Sequence, residues 1–329
     1  MDFPEFTLDT SLLEEAPEPD PNFIYHLIIV GGGPAAMSAA VYAARKMMQC
    51  AIITKDFGGQ IRETSEVENW LGFQSISAKD LADSFEEHVK GFEIPVKLNT
   101  AITAITKQGD TFSVSTDDGT TYRSYSVLLS TGKRHRPLNV PGEKELVGKG
   151  LAYCATCDAP FFKNKRVVVA GGGNSAFTTA LDLLKVEATV AMVNAIKGWQ
   201  ADAPLQQRVK KDDKVTLLDE HEILSVEGAE RVTGVVVKNL KTGAEQHLEA
   251  DGMFVEIGLL PNNEPVKDLV QLNEHGEVVV DCLSQTSVEG LYAAGDVTTV
   301  PHKQIVIAAG EGAKAALSAY NYLIAQSFM

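Results

Sequence analysis

Tyr25-His26-Leu27-Ile28-Ile29-Val30-Gly31-Gly32-Gly33-Pro34-Ala35-Ala36 is the stretch whose reading settles the fold. The apolar run up to Val30 does not alternate with polar residues, which predicts a strand buried on both faces of a parallel sheet. The spacing Gly31-x-Gly33-x-x-Ala36 then predicts a tight turn into a helix over Ala35–Lys46. Glycines there let the backbone come close to a pyrophosphate, and the helix N-terminus after Pro34 aims amide N–H groups and a positive dipole end at it. A second strand, Cys50–Thr54, completes a βαβ unit. The pattern recurs downstream as strand Arg166–Ala170, turn Gly171-x-Gly173-x-x-Ala176, helix Ala176–Leu184 and strand Thr189–Val193. Two such units predict an α/β chain built from two Rossmann-like, three-layer nucleotide-binding domains, with two nucleotide sites or one site and a relic.

The rest of the chain is read around these units. Phe57-Gly58-Gly59-Gln60 and Glu66-Val67-Glu68-Asn69-Trp70 form polar loops, and Ala78–Lys90 is a helix with Leu81, Phe85 and Val89 on one ridge. Short alternating runs over 95–130, broken at Asn99, Gly109-Asp110 and Asp117-Asp118-Gly119, predict a small antiparallel sheet that ends in Ser126–Leu129 and Ser130-Thr131-Gly132. Beyond the second unit come strands Val215–Leu218, Glu230–Lys238, His247–Leu248 and Met253–Ile257, then a connector, Gly258–Asn263. Gly276–Val280 and Leu291–Ala294 read as strands, Gly295-Asp296 as a turn, and Ile305–Ile324 as a long final helix. Residues 1–22, acidic and punctuated by proline, read as an extended arm.

Composition narrows the function. The 329 residues are 44% hydrophobic and 22% charged, a globular balance, and the net charge of −15 disfavours nucleic acid and anionic membranes as partners. The nearest basic cluster, Lys210-Lys211, runs straight into Asp212-Asp213. No apolar run approaches the roughly 20 residues of a membrane span, and the acidic start lacks a secretory n-region, so a cytoplasmic address is expected. Four cysteines are too few for a secreted disulfide scaffold, and no metal-ligand spacing stands out. Cys50 and Cys282 read as core fillers. Cys154-Ala155-Thr156-Cys157-Asp158 is different: two cysteines separated by two residues beside a βαβ pattern point to thiol–disulfide exchange. Asp158 can shuttle a proton to a leaving sulfur, or merely complement a helix dipole. His135 and His302 read as structural, Trp199 as a core cap rather than a base-stacking platform, and Met47-Met48 as packing.

Taken in order, Gly31 to Ala36, Gly58-Gly59-Gln60, Glu68-Asn69, Thr131-Gly132, Cys154 to Asp158, Gly171 to Ala176 and Ala294-Gly295-Asp296 resemble the low-molecular-weight flavin-dependent thioredoxin reductases. The chain is also similar to the reductase portion of the flavoprotein of bacterial alkyl hydroperoxide reductase. The resemblance implies an FAD domain, 1–137 with 261–329, interrupted by a smaller domain, 138–260, that carries the disulfide and swings about hinges near Arg136–Asn139 and Leu260–Asn262. It implies FAD contacts at Gly31, Gly33, Pro34, Ala35, Gly59, Gln60, Asn69, Thr131, Gly132, Gly295, Asp296, Lys303, Gln304 and Ile305. Among these, Asp296 would meet the ribityl chain, while Gln60, Asn69 and Lys303 to Ile305 would lie near the ring. Gly171, Gly173, Asn174 and Ser175 would take a pyridine nucleotide or another second nucleotide. Cys157 would face the flavin, and Cys154 would exchange with a thioredoxin-like protein, in a homodimer.

One segment departs from that pattern. NADPH-dependent members carry a His-Arg-Arg segment after the second βαβ strand, whereas this chain has Asn194-Ala195-Ile196-Lys197-Gly198-Trp199-Gln200. No acid ends that strand either, as a ribose 2′-hydroxyl would prefer. Three donors stay open: NADH or NADPH held by Asn194 and Lys197, a ferredoxin or second flavin, or the reverse direction, in which an FAD-dependent dithiol oxidase passes electrons to oxygen. A flavin-bound regulatory protein with a sensing cysteine pair is the reading from outside enzymology.

Overall fold

The computed structural model describes residues 17–63 and 66–329. By compactness the chain divides into two units, one of residues up to Gly59 with Ala82–Gly132 and Pro261–Met329, the other of Gln60–Leu81 with Lys133–Leu260. In this division Gln60–Leu81 groups with the second unit.

The first unit is organised on a seven-stranded sheet in the order Val96–Lys97, Cys50–Ile53, Ile24–Val30, Thr121–Leu129, Thr111–Thr116, Ile102–Gln108, with Leu291–Ala293 also paired to Thr121–Leu129. That long strand is shared along one edge: its first half runs antiparallel to Thr111–Thr116, and its last three residues run parallel to Leu291–Ala293. The predicted antiparallel meander is thus continuous with the nucleotide sheet. Leu27, Ile28 and Ile29 are all fully buried, and the strand's period of two divides them between two cores. Leu27 and Ile29 face the layer built from helices Pro34–Arg45 and Ile305–Ala325, and Ile28 and Val30 face the opposite side.

Those two helices touch backbone to backbone. A Cβ placed on Gly312 would lie 1.9 Å from the Ala35 carbonyl oxygen. Ala36, Ala39, Ala40 and Ala43 on one helix and Ala315, Ala316 and Ala319 on the other complete a seam of small, buried residues. The last helix therefore fixes the first turn of the first one, where the glycine motif sits.

The second unit carries a five-stranded parallel sheet in the order Leu151–Ala152, Gly252–Val255, Arg166–Ala170, Thr189–Asn194, Val215–Asp219, and a three-stranded antiparallel sheet of His221–Gly228, Val232–Asn239 and Glu245–Glu249. Val167 and Val169 enter the core under helix Asn174–Lys185, and Val168 and Ala170 enter the core on the other face.

Some local expectations need correction. Gly276–Val280 makes only isolated bridges, from Val278 to Leu272 and Thr298, because the Asn273 side chain accepts the His275 and Glu277 N–H groups and curls the segment into a turn. Strand His221–Gly228 escaped the sequence reading, since its polar His221, Glu222, Ser225 and Glu227 mask the alternation, and the next strand starts at Val232 rather than Glu230. Helix Ala203–Lys210 was likewise unread. Cys50 is buried as expected, but Cys282 is exposed in a turn tied by the Asp281 carboxylate to the Leu283 and Gln285 N–H groups. Met48 is buried, whereas Met47 is 83% exposed at a left-handed position (φ 57°) just past its helix. Among the described residues, no helix is long and apolar enough to cross a membrane.

Candidate functional site

In the first unit the glycine turn, Ser130–Gly132 and Gly295 come together at the carboxyl ends of Ile24–Val30, Thr121–Leu129 and Leu291–Ala293. Such an edge is where ligands bind in α/β sheets. Gly31 has φ +117°, and a Cβ on it would stand 2.4 Å from the Ser130 carbonyl oxygen, so only glycine fits. The Ser130 hydroxyl donates to the Val30 carbonyl at 2.8 Å. Thr131 Oγ1 donates to the Asn262 carbonyl at 2.6 Å, and Asn262 answers with Nδ2 to the Thr131 carbonyl at 2.8 Å. A Cβ on Gly295 would lie 3.2 Å from that of Ala35, and one on Gly59 would lie 3.5 Å from the Gly33 Cα. Gly33 itself faces open space at the N-cap of helix Pro34–Arg45, the cradle an anionic group requires. Asp296, half-buried, and Lys303 line a shallow depression beside Gly295. The Lys303 ammonium donates to the Thr298 and Val300 carbonyls at 2.6 and 2.5 Å, so it staples its own loop. Gln304 is the extended N-cap of the final helix, and Ile305 its first residue.

The second unit holds the sulfur chemistry. Strand Leu151–Ala152 leads through Tyr153 to Cys154, which is extended (φ −126°, ψ 100°) and caps the four-residue helix Ala155–Asp158. Cys154 is disulfide-bonded, while Cys50 and Cys282 are free thiols. Asp158, 6% exposed, donates its backbone N–H to the Cys154 carbonyl at 3.0 Å, so a buried carboxyl and a disulfide-bonded cysteine share one turn. This helix lies against strand Glu66–Val67, in the segment that also carries Gln60 and exposed Asn69. Gln60 Nε2 is buried without a hydrogen-bond partner. A buried donor left so is costly, and it suits a bound group that presents an acceptor.

Tyr153 is held firmly. Its ring stacks on His135 with centroids 4.3 Å apart, and its hydroxyl donates to Glu143 at 3.0 Å. The Glu143 side chain also accepts the Leu138 and Asn139 N–H groups, each at 2.8 Å, and Glu143 is only 2% exposed. Burial pushes the His135 imidazole down to about 4, so it is neutral near pH 7, in line with a structural role. Neither Glu143 nor Tyr153 was singled out from sequence; a glutamate just after Pro141-Gly142 gave the available signal.

At the second glycine turn, Gly171 (φ +132°) repeats the geometry of Gly31, with its Cβ position 2.3 Å from the Glu256 carbonyl oxygen. Gly173 again faces open space at the N-cap of helix Asn174–Lys185. Asn174 Nδ2 donates to the Asp202 carboxylate at 3.0 Å and its Oδ1 accepts the Asp202 N–H at 2.8 Å, while Ser175 is exposed. Asn194 is 3% exposed, and its amide is consumed locally: Nδ2 donates to the Ile196 and Gly198 carbonyls at 2.6 and 2.8 Å and to Asp219 at 3.3 Å. Asp219 ends the neighbouring strand, in register with Asn194, and its carboxylate accepts the Gly198 N–H. Asp219 was missed because it lies far along the chain and becomes Asn194's neighbour only through parallel pairing. Lys197 is exposed, and Trp199 packs edge-on to Phe177 at 5.4 Å, capping the core as read. Among the described residues, no group of three or more His, Cys, Asp or Glu side chains is placed to hold a metal.

Comparisons with known proteins agree with this arrangement. A family model described as pyridine nucleotide-disulphide oxidoreductase matches residues 25–312. The chain is 42% identical over 306 residues to the F protein of alkyl hydroperoxide reductase in Pseudomonas putida, covering 92% of this chain and 59% of that protein. It is 40% identical over 300 residues to the protein of the same name in Staphylococcus aureus, at 91% and 59% coverage. The chain thus spans about three fifths of the length of these curated relatives. Among solved structures it is similar to a thioredoxin reductase from Streptococcus pyogenes, with a TM-score of 0.85, 34% identity and coverage of 92% and 99% of the two chains. It is also similar to one from Giardia duodenalis, with a TM-score of 0.81, 30% identity and coverage of 91% and 98%.

Proposed function

The chain belongs to the pyridine nucleotide-disulphide oxidoreductase family, and from that premise we propose that it is a thioredoxin-disulfide reductase-like enzyme that delivers an electron pair to the Cys154 disulfide and then to a thioredoxin-like protein. The observation that carries this reading is the disulfide-bonded Cys154 at the cap of a short helix, one turn from buried Asp158, in a chain with two dinucleotide turns.

FAD is the cofactor of this family, and the residues present fit it. Gly33, Pro34 and Ala35 would receive its pyrophosphate on an open helix N-terminus, and Asp296 would accept a ribityl hydroxyl. Bound FAD supplies a two-electron carrier between the donor and the disulfide.

The chain's own residues then handle sulfur and proton. Once the disulfide is reduced, the Cys154 thiolate attacks a disulfide sulfur of the partner, and an S–S bond forms between the two proteins as the partner's other sulfur leaves as thiolate. Cys157 then attacks Cys154, so that the internal disulfide re-forms and the partner departs as a dithiol carrying two electrons and two protons. Asp158, one turn from Cys154, gives and retrieves the proton that a leaving sulfur needs. A homodimer in the cytoplasm belongs to the same reading.

The donor we favour is a nicotinamide dinucleotide lacking a 2′-phosphate, since no arginine follows Thr189–Asn194 to neutralise one. The closed loop over Asn194–Gly198 favours a second reading, a ferredoxin donor, because the side chain at the strand end is already spent. Anaerobic addition of NADH, then NADPH, to the yellow protein tests both. Bleaching of the flavin by NADH in preference to NADPH is expected; no bleaching by either transfers the role to a protein donor. A purified protein that is colourless and takes up no FAD would end the whole reading.

A further inference from the structure

We propose that Glu256 binds the half of the dinucleotide that lies beyond its pyrophosphate, by accepting a hydrogen bond from the nicotinamide carboxamide or the adjoining ribose. The inference rests on the nicotinamide donor proposed above and adds a residue that the sequence did not single out.

The argument is topological first. Read from Val215–Asp219 through Thr189–Asn194 to Arg166–Ala170, the second sheet advances one neighbour at a time, then jumps to Gly252–Val255 and Leu151–Ala152 on the other side. The order reverses between Arg166–Ala170 and Gly252–Val255, and a dinucleotide lies across the crevice at such a reversal. Ala170 is the register partner of Val255, so Gly171 and Glu256 leave the sheet side by side, with the Glu256 N–H donating to the Ala170 carbonyl at 2.8 Å. A pyrophosphate seated on the open Gly173 amide end has adenosine on the side of Asn194 and Asp219. Its other half extends over Glu256.

Chemistry completes the case. Among the described residues, the Glu256 carboxyl receives one hydrogen bond, at 2.9 Å from the Thr179 hydroxyl of helix Asn174–Lys185, and no cation pairs with it. Burial pushes it up to about 7, the mark of an acid short of donors. The disulfide chemistry does not use it. A half-buried acid with acceptor capacity to spare is a cost that folds keep at binding and catalytic positions, and an amide N–H or a ribose hydroxyl is the donor it lacks.

The test compares NADH with ADP, which has adenosine and pyrophosphate but nothing beyond, on the FAD-loaded protein and its Glu256→Gln variant. Glutamine preserves size and one acceptor oxygen for Thr179 but replaces the second acceptor oxygen with an NH₂ group that can only donate. NADH is expected to bind on the order of tenfold more weakly to the variant, the loss of one hydrogen bond to a charged group, with ADP affinity unchanged. Equal NADH affinity in the two proteins overturns the inference and leaves the nicotinamide donor standing. Parallel loss of NADH and ADP overturns it too, as a general structural effect. Wild-type protein that binds neither NADH nor NADPH removes the donor reading and this inference with it.

Discussion

Replacing Glu256 by glutamine carries a second consequence, for stability, whose sign and size follow from the fold. Burial raises this carboxyl from its ordinary 4.5 to about 7, the Thr179 hydroxyl being the one opposing influence. Between those values the folded chain holds a proton that the unfolded chain has released, so the wild type loses stability as pH rises through the window. At about 1.4 kcal/mol per pH unit the full gap is worth about 3 kcal/mol, reached above pH 7 and absent well below 4.5. Glutamine does not ionise and keeps the Thr179 bond, so Glu256→Gln should stabilise the protein by about 3 kcal/mol at pH 8 and by less than about 1 kcal/mol at pH 5. Urea unfolding of the FAD-loaded protein at both pH values, followed by far-ultraviolet circular dichroism, measures the difference. A gain that is equal at the two pH values, or a loss at pH 8, would refute the picture of a poorly solvated acid. The variant is thus expected to gain stability while it loses NADH, a combination that a general structural defect does not produce.

Two further outcomes are expected. Gly312→Ala drives a methyl group to within 1.9 Å of the Ala35 carbonyl and must push the two helices apart, at a cost of about 1–3 kcal/mol and with release of flavin on dilution, since Ala35 opens the turn proposed to hold FAD. Gly310→Ala on the same helix meets nothing within 4 Å and should gain up to about 1 kcal/mol, so thermal melts of the pair separate contact from helix propensity. Glu143→Ala strips the acceptor from two backbone N–H groups and the Tyr153 hydroxyl, and should cost about 3 kcal/mol, against about 1 kcal/mol for Tyr153→Phe. Chemical denaturation of the two variants side by side checks the ratio.

The fold was legible where one physical signal dominated. Ile28 and its neighbours are buried on both faces and lack alternation, and glycine turns follow them, so both βαβ units could be placed to within a residue or two. Signals failed where the decisive partner was distant in sequence. Gly312 looks like a poor helix residue until Ala35 is seen against it. Cys282 looks like core because its neighbours in the chain are apolar, yet Asp281 turns the backbone outward there. His221–Gly228 is a strand because Val232–Asn239 pairs with it, not because its own residues alternate cleanly.

The same distinction explains which parts of the site were found. Gly31, Gly171, Cys154 and Asp158 belong to local motifs, so spacing alone drew attention to them as candidates. Asp219 and Glu256 owe their positions to parallel register, each one strand away from the residue that a motif search inspects, Asn194 in one case and Gly171 in the other. The structure therefore moves the question of the donor from the residue at the end of one strand to the two carboxyls on either side of the turn. At the proposed adenosine end, Asp219 and Asn194 bond each other and the Gly198 backbone, so that end is closed by its own loop. At the other end Glu256 keeps acceptor capacity that one threonine does not fill. A nucleotide held here would then rely on the half beyond the pyrophosphate, and NADPH, whose 2′-phosphate meets no arginine after Thr189–Asn194, should bind more weakly than NADH, the reverse of an enzyme that clamps that phosphate.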